Sequence, residues 1–378
     1  MATKMSKIFH QFATDDRKQI FYDSWKIFEH DQKPPAGKMT AVFDKIKIAF
    51  FEAAEWEKPY LKDRLKNYDA VFFDNTLDEN NAENARDFDI ISVFIYSNIN
   101  KKVLGKLKNL KLITTRGTGF DHIDIGECKK RGIIVCNVPT YGENTVAEHT
   151  FALILNLTRK IHKAWERTRR LDFSQEGLIG IDLSGKTLGV VGVGNIGRHI
   201  IRIAKGFEMN VIAFDVFKNK KLEKKLGFKY VAFKHLLKNS DIITLHCPYN
   251  KKTHHLINKN NIKKIKKGSL LINTARGDLI ETDALVKALD NRVLSGAGLD
   301  VLEGECFIKE DVQVMSKHFP KKCDMKIILE NHILAKKDNV IVTPHNAFNS
   351  KEALQRILDA TVENIRGFLI GKVLHKVK

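Results

Sequence analysis

Three polar residues with the makings of a reaction stand just beyond apolar runs of the sequence. Arg276 follows the run in "LLINTARGDLI" (270–280), Asp300 closes the one in "GAGLDVLEGE" (296–305), which also supplies Glu305, and His345 follows "NVIVTP" in 339–348. An arginine presents a planar fork to a carboxylate and can polarise a carbonyl. A histidine titrates near neutrality, so it can give a proton to a carbonyl oxygen and take it back in reverse. A carboxylate such as Glu305 can hold the imidazole and favour its protonated form. The set suits reduction of a 2-oxo acid, which needs a cation on the carboxylate, a proton donor to the carbonyl and a hydride donor. No metal and no covalent nucleophile is required. His246, in "TLHCP", is a rival base, but it ends a strand beside the expected cofactor site and reads as structural or cofactor-side. His149, His254 and His255 read as helix or loop residues.

The hydride donor has its own signature. The stretch "GIDLSGKTLGVVGVGNIG" (180–197) holds two phosphate-binding patterns, G-x-x-x-x-G-K-T at Gly180–Thr187 and G-x-G-x-x-G at Gly192–Gly197. A P-loop must follow a strand and open a helix. Here the apolar run 188–193 comes after Lys186 and Thr187, so Ser184, Gly185, Lys186 and Thr187 read as a turn feeding a strand. The second pattern has the right surroundings. Gly192 permits a tight turn, Gly194 lets the backbone approach a pyrophosphate, and Gly197 lets the following helix pack on the strand. That helix carries Ile196, Ile200, Ile201, Ala204 and Phe207 at helical spacing. A strand at 211–214 then ends in Asp215, 18 positions after Gly197, where an acid can bind a ribose 2′-hydroxyl and repel a 2′-phosphate. NAD is therefore expected over NADP. The expected cofactor site comprises Gly192, Gly194, Asn195, Ile196, Gly197, Asp215, Cys247, Pro248, Thr274 and Asp300.

These residues need a frame. Strands are expected at 46–51, 68–73, 89–95, 110–115 and 132–138, with a helix around "KPYLKDRLKN". A second unit, from about Lys186 to His345, has strands at 188–193, 211–214, 241–245, 269–273, 295–299 and 339–342. Repeated strand–helix alternation means an α/β fold with parallel sheets. Residues 143–170 read as one long amphipathic helix crossing between domains, and the helical segment that starts at Ser350 is expected to pack back on the first domain. The chain would then cross twice and leave a cleft, a preferred place for ligands. Residues 1–45, polar and containing "HDQKPPAGK", read as an extension without an assigned role.

Composition bounds the rest. A chain of 378 residues with 43% hydrophobic and 29% charged residues has the makeup of a soluble two-domain protein. It has no apolar run of about 18 residues, so no membrane span is expected. The N-terminus has no signal-peptide core. Five cysteines, an odd number without a C-x-x-C pair, point to reduced thiols and a cytoplasmic setting. The net charge of +19 is mostly lysine spread along the chain, without an arginine cluster or interleaved aromatics. It reads as compositional bias, which makes a nucleic-acid partner unlikely and still leaves long-range attraction for an anionic substrate.

On "RGTGFDHIDI", "NVPTYGENTVAEH", "GVVGVGNIGRHI", "AFDVF", "DIITLHCP", "INTARGDLI", "LDVLEGE" and "VTPHNAF", the chain resembles the D-isomer-specific 2-hydroxyacid dehydrogenases, over roughly residues 46–375 and closest to the lactate branch. The resemblance implies two Rossmann-like domains, a flavodoxin-like catalytic one and an inserted NAD-binding one, with an interdomain cleft and usually a homodimer. The boundaries would be 46–142 plus 346–378 for the catalytic domain and 143–345 for the NAD domain. It matches Arg276, Glu305 and His345 to the catalytic residues, Asp215 to the ribose-binding acid, and Asp300 to the acid near the nicotinamide. It matches Thr118 and Gly119 to the loop whose N–H groups bind the substrate carboxylate, and Phe94, Tyr141 and Phe348 to pocket-lining positions. The D stereochemistry rests on the resemblance alone. The expected activity is NADH-linked reduction of pyruvate to D-lactate. The alternatives are a branched or aromatic 2-oxo acid, hydroxypyruvate, or, in another class, an NAD-sensing corepressor that uses the same fold without turnover.

Overall fold

The computed structural model describes residues 46–304 and 325–377; the expected extension 1–45, Glu305, Cys306 and Cys323 lie outside them. The first sheet contains β1 (Lys47–Phe50), β2 (Asp69–Phe72), β3 (Ile90–Val93), β4 (Leu112–Thr115) and β5 (Ile134–Cys136). All pairs are parallel, in the order β2-β1-β3-β4-β5. This is the flavodoxin-like order, with its switch point between β1 and β3. Ile48, Ile90 and Leu112 pack to one side and Ala49, Ile91 and Ile113 to the other. Burial on both faces is why these strands read as continuous apolar runs. Around the sheet lie α1 (Glu57–Arg64), α2 (Lys101–Lys106) and α3 (Ile125–Lys130).

The second sheet has β6 (Thr187–Val191), β7 (Asn210–Phe214), β8 (Lys229–Tyr230), β9 (Ile242–Leu245), β10 (Ser269–Asn273), β11 (Leu294–Leu299) and β12 (Val340–Val342). Its order, β12-β11-β10-β9-β6-β7-β8, is parallel throughout and switches direction between β6 and β9. The order is Rossmann-like, with one further strand at the β12 edge. The strand β8 was absent from the sequence reading; it is two residues long and has no apolar run to announce it.

The single helix expected over 143–170 is two helices, α4 (Glu143–Arg159) and α5 (Ile161–Thr168). Lys160 sits between them at φ +53 and ends the first by bonding its N–H to the Asn156 carbonyl. The Asn156 side chain then accepts the backbone N–H of His162 at 2.8 Å. A left-handed lysine is uncommon, and its side chain gives no sign of it in the sequence. The helices α6 (Asn195–Gly206), α7 (Lys220–Leu226), α8 (Phe233–Asn239), α9 (Thr282–Asp290) and α10 (Met325–Lys336) accompany the second sheet. The last, α11 (Lys351–Leu369), returns to β4 and α1 of the first sheet, as expected.

The P-loop look-alike is accounted for by packing. A Cβ on Gly180 would lie 2.3 Å from the Thr158 carbonyl oxygen, and Gly185 turns the chain at φ +74. Lys186 is followed by β6, with no helix for a phosphate to sit on.

Candidate active site

The cofactor half is built where β6 meets α6. Gly192 has φ +97, and a Cβ there would strike the His246 carbonyl at 2.7 Å. A Cβ on Gly197 would lie 2.1 Å from the Gly192 oxygen, so only glycine lets α6 sit this close to the turn. Gly194 is the N-cap of α6, and no side chain among the described residues caps that helix end. Asn195 is exposed beside it, and Ile196 packs into the core under the first turn. At the end of β7, Asp215 accepts the N–H of Val193 at 2.7 Å with one oxygen and that of Phe217 at 2.8 Å with the other. The acid is thereby aimed along the glycine turn. After β9 come Cys247 and exposed Pro248; burial pushes the Cys247 thiol up to about 11, leaving it protonated. The buried Thr274 hydroxyl shares a 2.9 Å hydrogen bond with Thr150 of α4.

The residues expected to react follow three adjacent strands. Asn273 ends β10, donates to the Arg276 carbonyl at 2.8 Å and accepts the Ala275 N–H at 3.0 Å. This closed turn presents Arg276, whose Nη2 lies 3.7 Å from an Asp121 oxygen. A Cβ on Gly119 would be 2.0 Å from Nη2, so the arginine rests directly on the 117–121 loop. After β11, buried Asp300 accepts Thr343 Oγ1 at 2.5 Å and the N–H groups of Asn346 and Ala347 at 2.8 and 2.9 Å. His149 of α4 stands 3.4 Å from the same carboxylate. Burial opposes ionisation of Asp300, but the bonds from His149, Thr343, Asn346 and Ala347 outweigh it and hold its carboxyl below the usual range. After β12, His345 takes φ +52 and is partly buried. His246 is different: burial depresses its pKa to about 3, and Thr244 Oγ1 lies 2.8 Å from its Nε2. It is neutral at working pH and carries no proton to donate from an imidazolium.

The remaining wall comes from the first sheet. Thr118 Oγ1 donates to the Val138 carbonyl at 2.9 Å, and Asn137 donates to the Thr118 carbonyl at 2.8 Å, which fixes the loop after β4. Tyr141 is largely desolvated, which raises its hydroxyl pKa; nearby Arg276 acts in the opposite sense. Phe94, after β3, meets Phe348, after β12, edge to face with centroids 5.4 Å apart. The two rings come from the loops after β3 and β12 and pack in the arrangement aromatic pairs prefer.

Residues 151–347 match the family described as D-isomer specific 2-hydroxyacid dehydrogenase, NAD binding domain. The chain is 38% identical to a 2-hydroxyacid dehydrogenase homolog of Haemophilus influenzae, over 88% of this chain and 99% of that protein. It is 34% identical to the D-lactate dehydrogenase of Escherichia coli, over 86% and 98%. The chain belongs to the D-isomer-specific 2-hydroxyacid dehydrogenases. It is an NAD-dependent oxidoreductase acting on a CH–OH group. A solved D-lactate dehydrogenase from Aquifex aeolicus, in complex with NAD and lactic acid, superposes with a TM-score of 0.77 at 38% identity, over 86% of this chain and 96% of that one.

The residues of this dehydrogenase fit its cofactor. A Cβ on Gly194 would meet nothing within 4 Å, so the backbone at the α6 N-terminus is open to a pyrophosphate, and Asp215 is bonded to the glycine turn where an acid for a ribose hydroxyl is expected. Several supporting residues escaped the sequence reading. Asn273 shapes the Arg276 turn, and an Asn directly after an apolar strand is a turn signal that could have found it. His149 and Thr343 support Asp300. Glu303 is buried, accepts Thr282 Oγ1 at 2.7 Å and lies 2.7 Å from His255 Nε2. Among the described residues no group of side chains could hold a metal, and no helix is long and apolar enough to cross a membrane.

Proposed function

We propose that this dehydrogenase reduces pyruvate, or a 2-oxo acid of similar size, to the D-2-hydroxy acid. The observation that carries the reading is the edge-to-face contact of Phe94 with Phe348, which we take as the apolar wall that limits the acyl side chain. The D-lactate dehydrogenases among its relatives support the same substrate class.

Bound NADH supplies the hydride. Arg276 grips the substrate carboxylate and polarises the carbonyl, aided by backbone N–H groups at Thr118 and Gly119. Tyr141, Phe94 and Phe348 exclude water and limit the side chain. His345 gives its proton to the carbonyl oxygen, and in reverse takes it from the hydroxyl. Asp300 holds the backbone on which His345 stands, and Glu305 is assigned to hold the imidazole protonated. Gly192, Gly194, Asn195, Ile196, Gly197, Asp215, Cys247, Pro248 and Thr274 are assigned to the cofactor.

We also assign residues 46–142 and 346–378 to the catalytic domain and 143–345 to the NAD domain. A homodimer is proposed on the run from Ile161 to Ile181, where Trp165, Leu171, Phe173 and Ile179 are all exposed. So large an apolar surface on a described chain suits an interface between copies. A cytoplasmic location follows from the cysteine usage.

The test is NADH oxidation across pyruvate, hydroxypyruvate, 2-oxoisocaproate and phenylpyruvate, with D- and L-lactate compared in reverse. Highest kcat/KM on pyruvate, and oxidation of D-lactate alone, supports the reading. Preference for a larger acid would replace the substrate and keep the mechanism. Tight NADH binding without turnover on any acid would contradict it.

A further inference from the structure

The switch point of the first sheet lies between β1 and β3, and the loops leaving their carboxyl ends face each other there. Glu52 leaves β1 at φ +55, a left-handed conformation that a glutamate adopts only when its surroundings enforce it. The enforcement is visible on both sides. Its N–H donates to the Asn75 carbonyl at 3.0 Å, and its carbonyl accepts Nη2 of buried Arg116 at 2.7 Å. Its side chain is thereby turned across the switch point onto the loop after β3.

There the carboxylate collects a complete turn of donors. One oxygen accepts the N–H of Phe94 at 3.0 Å, the N–H of Ser97 at 3.1 Å and the Ser97 hydroxyl. The other accepts the N–H of Tyr96 at 2.9 Å. Beneath the same turn, the Arg116 guanidinium lies 5.7 Å from the centroid of the Phe94 ring. Arg116 is itself anchored to the Phe51 carbonyl at 2.8 Å, to Ser92 Oγ at 3.0 Å and to Glu57 at 3.7 Å. Phe94 is therefore held along its backbone by Glu52 and its ring is flanked by Arg116, while the ring meets Phe348 edge to face.

We propose that Glu52 is a positioning residue that sets the length of substrate side chain the enzyme accepts, by fixing Phe94 against Phe348. The inference rests on the proposed use of a short 2-oxo acid. Glu52 makes no contact with the reacting atoms in this assignment; it acts through the ring it places.

Glu52→Gln keeps the shape but offers one acceptor oxygen where two were used, and turns an amide N–H₂ toward backbone donors. The kcat/KM for pyruvate is expected to fall about tenfold, mainly through KM, while that for 2-oxoisocaproate changes less than about twofold. The affinity for NADH stays within about twofold, because Glu52 lies in the other sheet's loops. In a Phe94→Ala background the same Glu52→Gln change leaves the pyruvate-to-2-oxoisocaproate ratio unmoved, since the ring it acts through is gone. Ser97→Ala, which removes one donor to Glu52 and the acceptor of the Leu77 N–H without disturbing charge, shifts the ratio the same way by about twofold and serves if Glu52→Gln does not fold. An unchanged ratio in Glu52→Gln, or in Ser97→Ala where that variant stands in, would overturn the proposal. So would an equal shift with and without Phe94, which is what a merely structural role produces. The wild-type panel separates the two layers: a wild type inert on every 2-oxo acid overturns the proposed function, whereas an active one with an unmoved ratio overturns only the role of Glu52.

Discussion

Asp300 and His345 are joined through the backbone: the His345 N–H donates to the Asp300 carbonyl at 2.9 Å. The Asp300 carboxylate then takes the N–H groups of the two residues that follow His345. The residue assigned to proton transfer is thus placed by a buried acid just after the neighbouring strand β11, at a φ of +52 that needs such a restraint. The arrangement makes Asp300 a support of geometry before it is anything else.

Asp300→Asn should therefore cost stability as well as rate. The variant is expected to lose about 2 kcal/mol at neutral pH, because the amide cannot accept all the bonds the carboxylate takes. The folded pKa of Asp300 lies below its unfolded value, so its contribution is present above about pH 4 and is lost as pH falls through the folded value. Urea unfolding at several pH values checks this: the gap between wild type and variant should narrow below about pH 4. A gap independent of pH would show that the charge of Asp300 does not matter.

Arg276→Lys should lower kcat/KM for the 2-oxo acid by about a hundredfold, since an ammonium cannot make the two parallel bonds of a guanidinium. Steady-state kinetics at saturating NADH gives the number. Activity within a factor of about three would remove the bidentate contact from the account.

Asp215→Ala should erode the preference for NADH over NADPH by about tenfold or more, chiefly by weakening NADH. Fluorescence titration of both cofactors would measure it, and an untouched preference would contradict the assignment of Asp215 to the ribose. Part of the loss is expected to be structural, because Asp215 also caps the Val193 and Phe217 N–H groups.

Lys186→Ala should leave the NADH dissociation constant within about twofold, because this lysine feeds β6 and is not part of a P-loop. A tenfold or larger weakening in the same titration would reopen the rejected motif.

The parts of this molecule legible in its sequence are those where one local pattern suffices. Buried parallel strands such as Leu112–Thr115 and Ser269–Asn273 announce themselves as apolar runs, and the spacing of Gly192, Gly194 and Gly197 states its purpose through two close approaches, at Gly192 and Gly197, and one open backbone position, at Gly194. What stayed hidden depends on partners far along the chain. The break at Lys160 is a backbone state that no lysine side chain advertises. The groups that donate to Glu52 lie 42 to 45 positions away, and a glutamate in "FFEAAE" looks like any surface acid until the sheet brings β1 beside β3. Glu303 stayed hidden for the same reason: its partners, His255 and Thr282, lie far along the chain, the second at the start of α9.

The central claim, that His345 is the proton donor of an NAD-dependent 2-oxo acid reduction, is tested most directly by His345→Ala. NADH oxidation by pyruvate would be followed beside an NADH binding titration. The account predicts a fall in kcat of about a thousandfold with NADH affinity within about twofold of wild type. A kcat within about tenfold of wild type would contradict it and take His345 out of the mechanism.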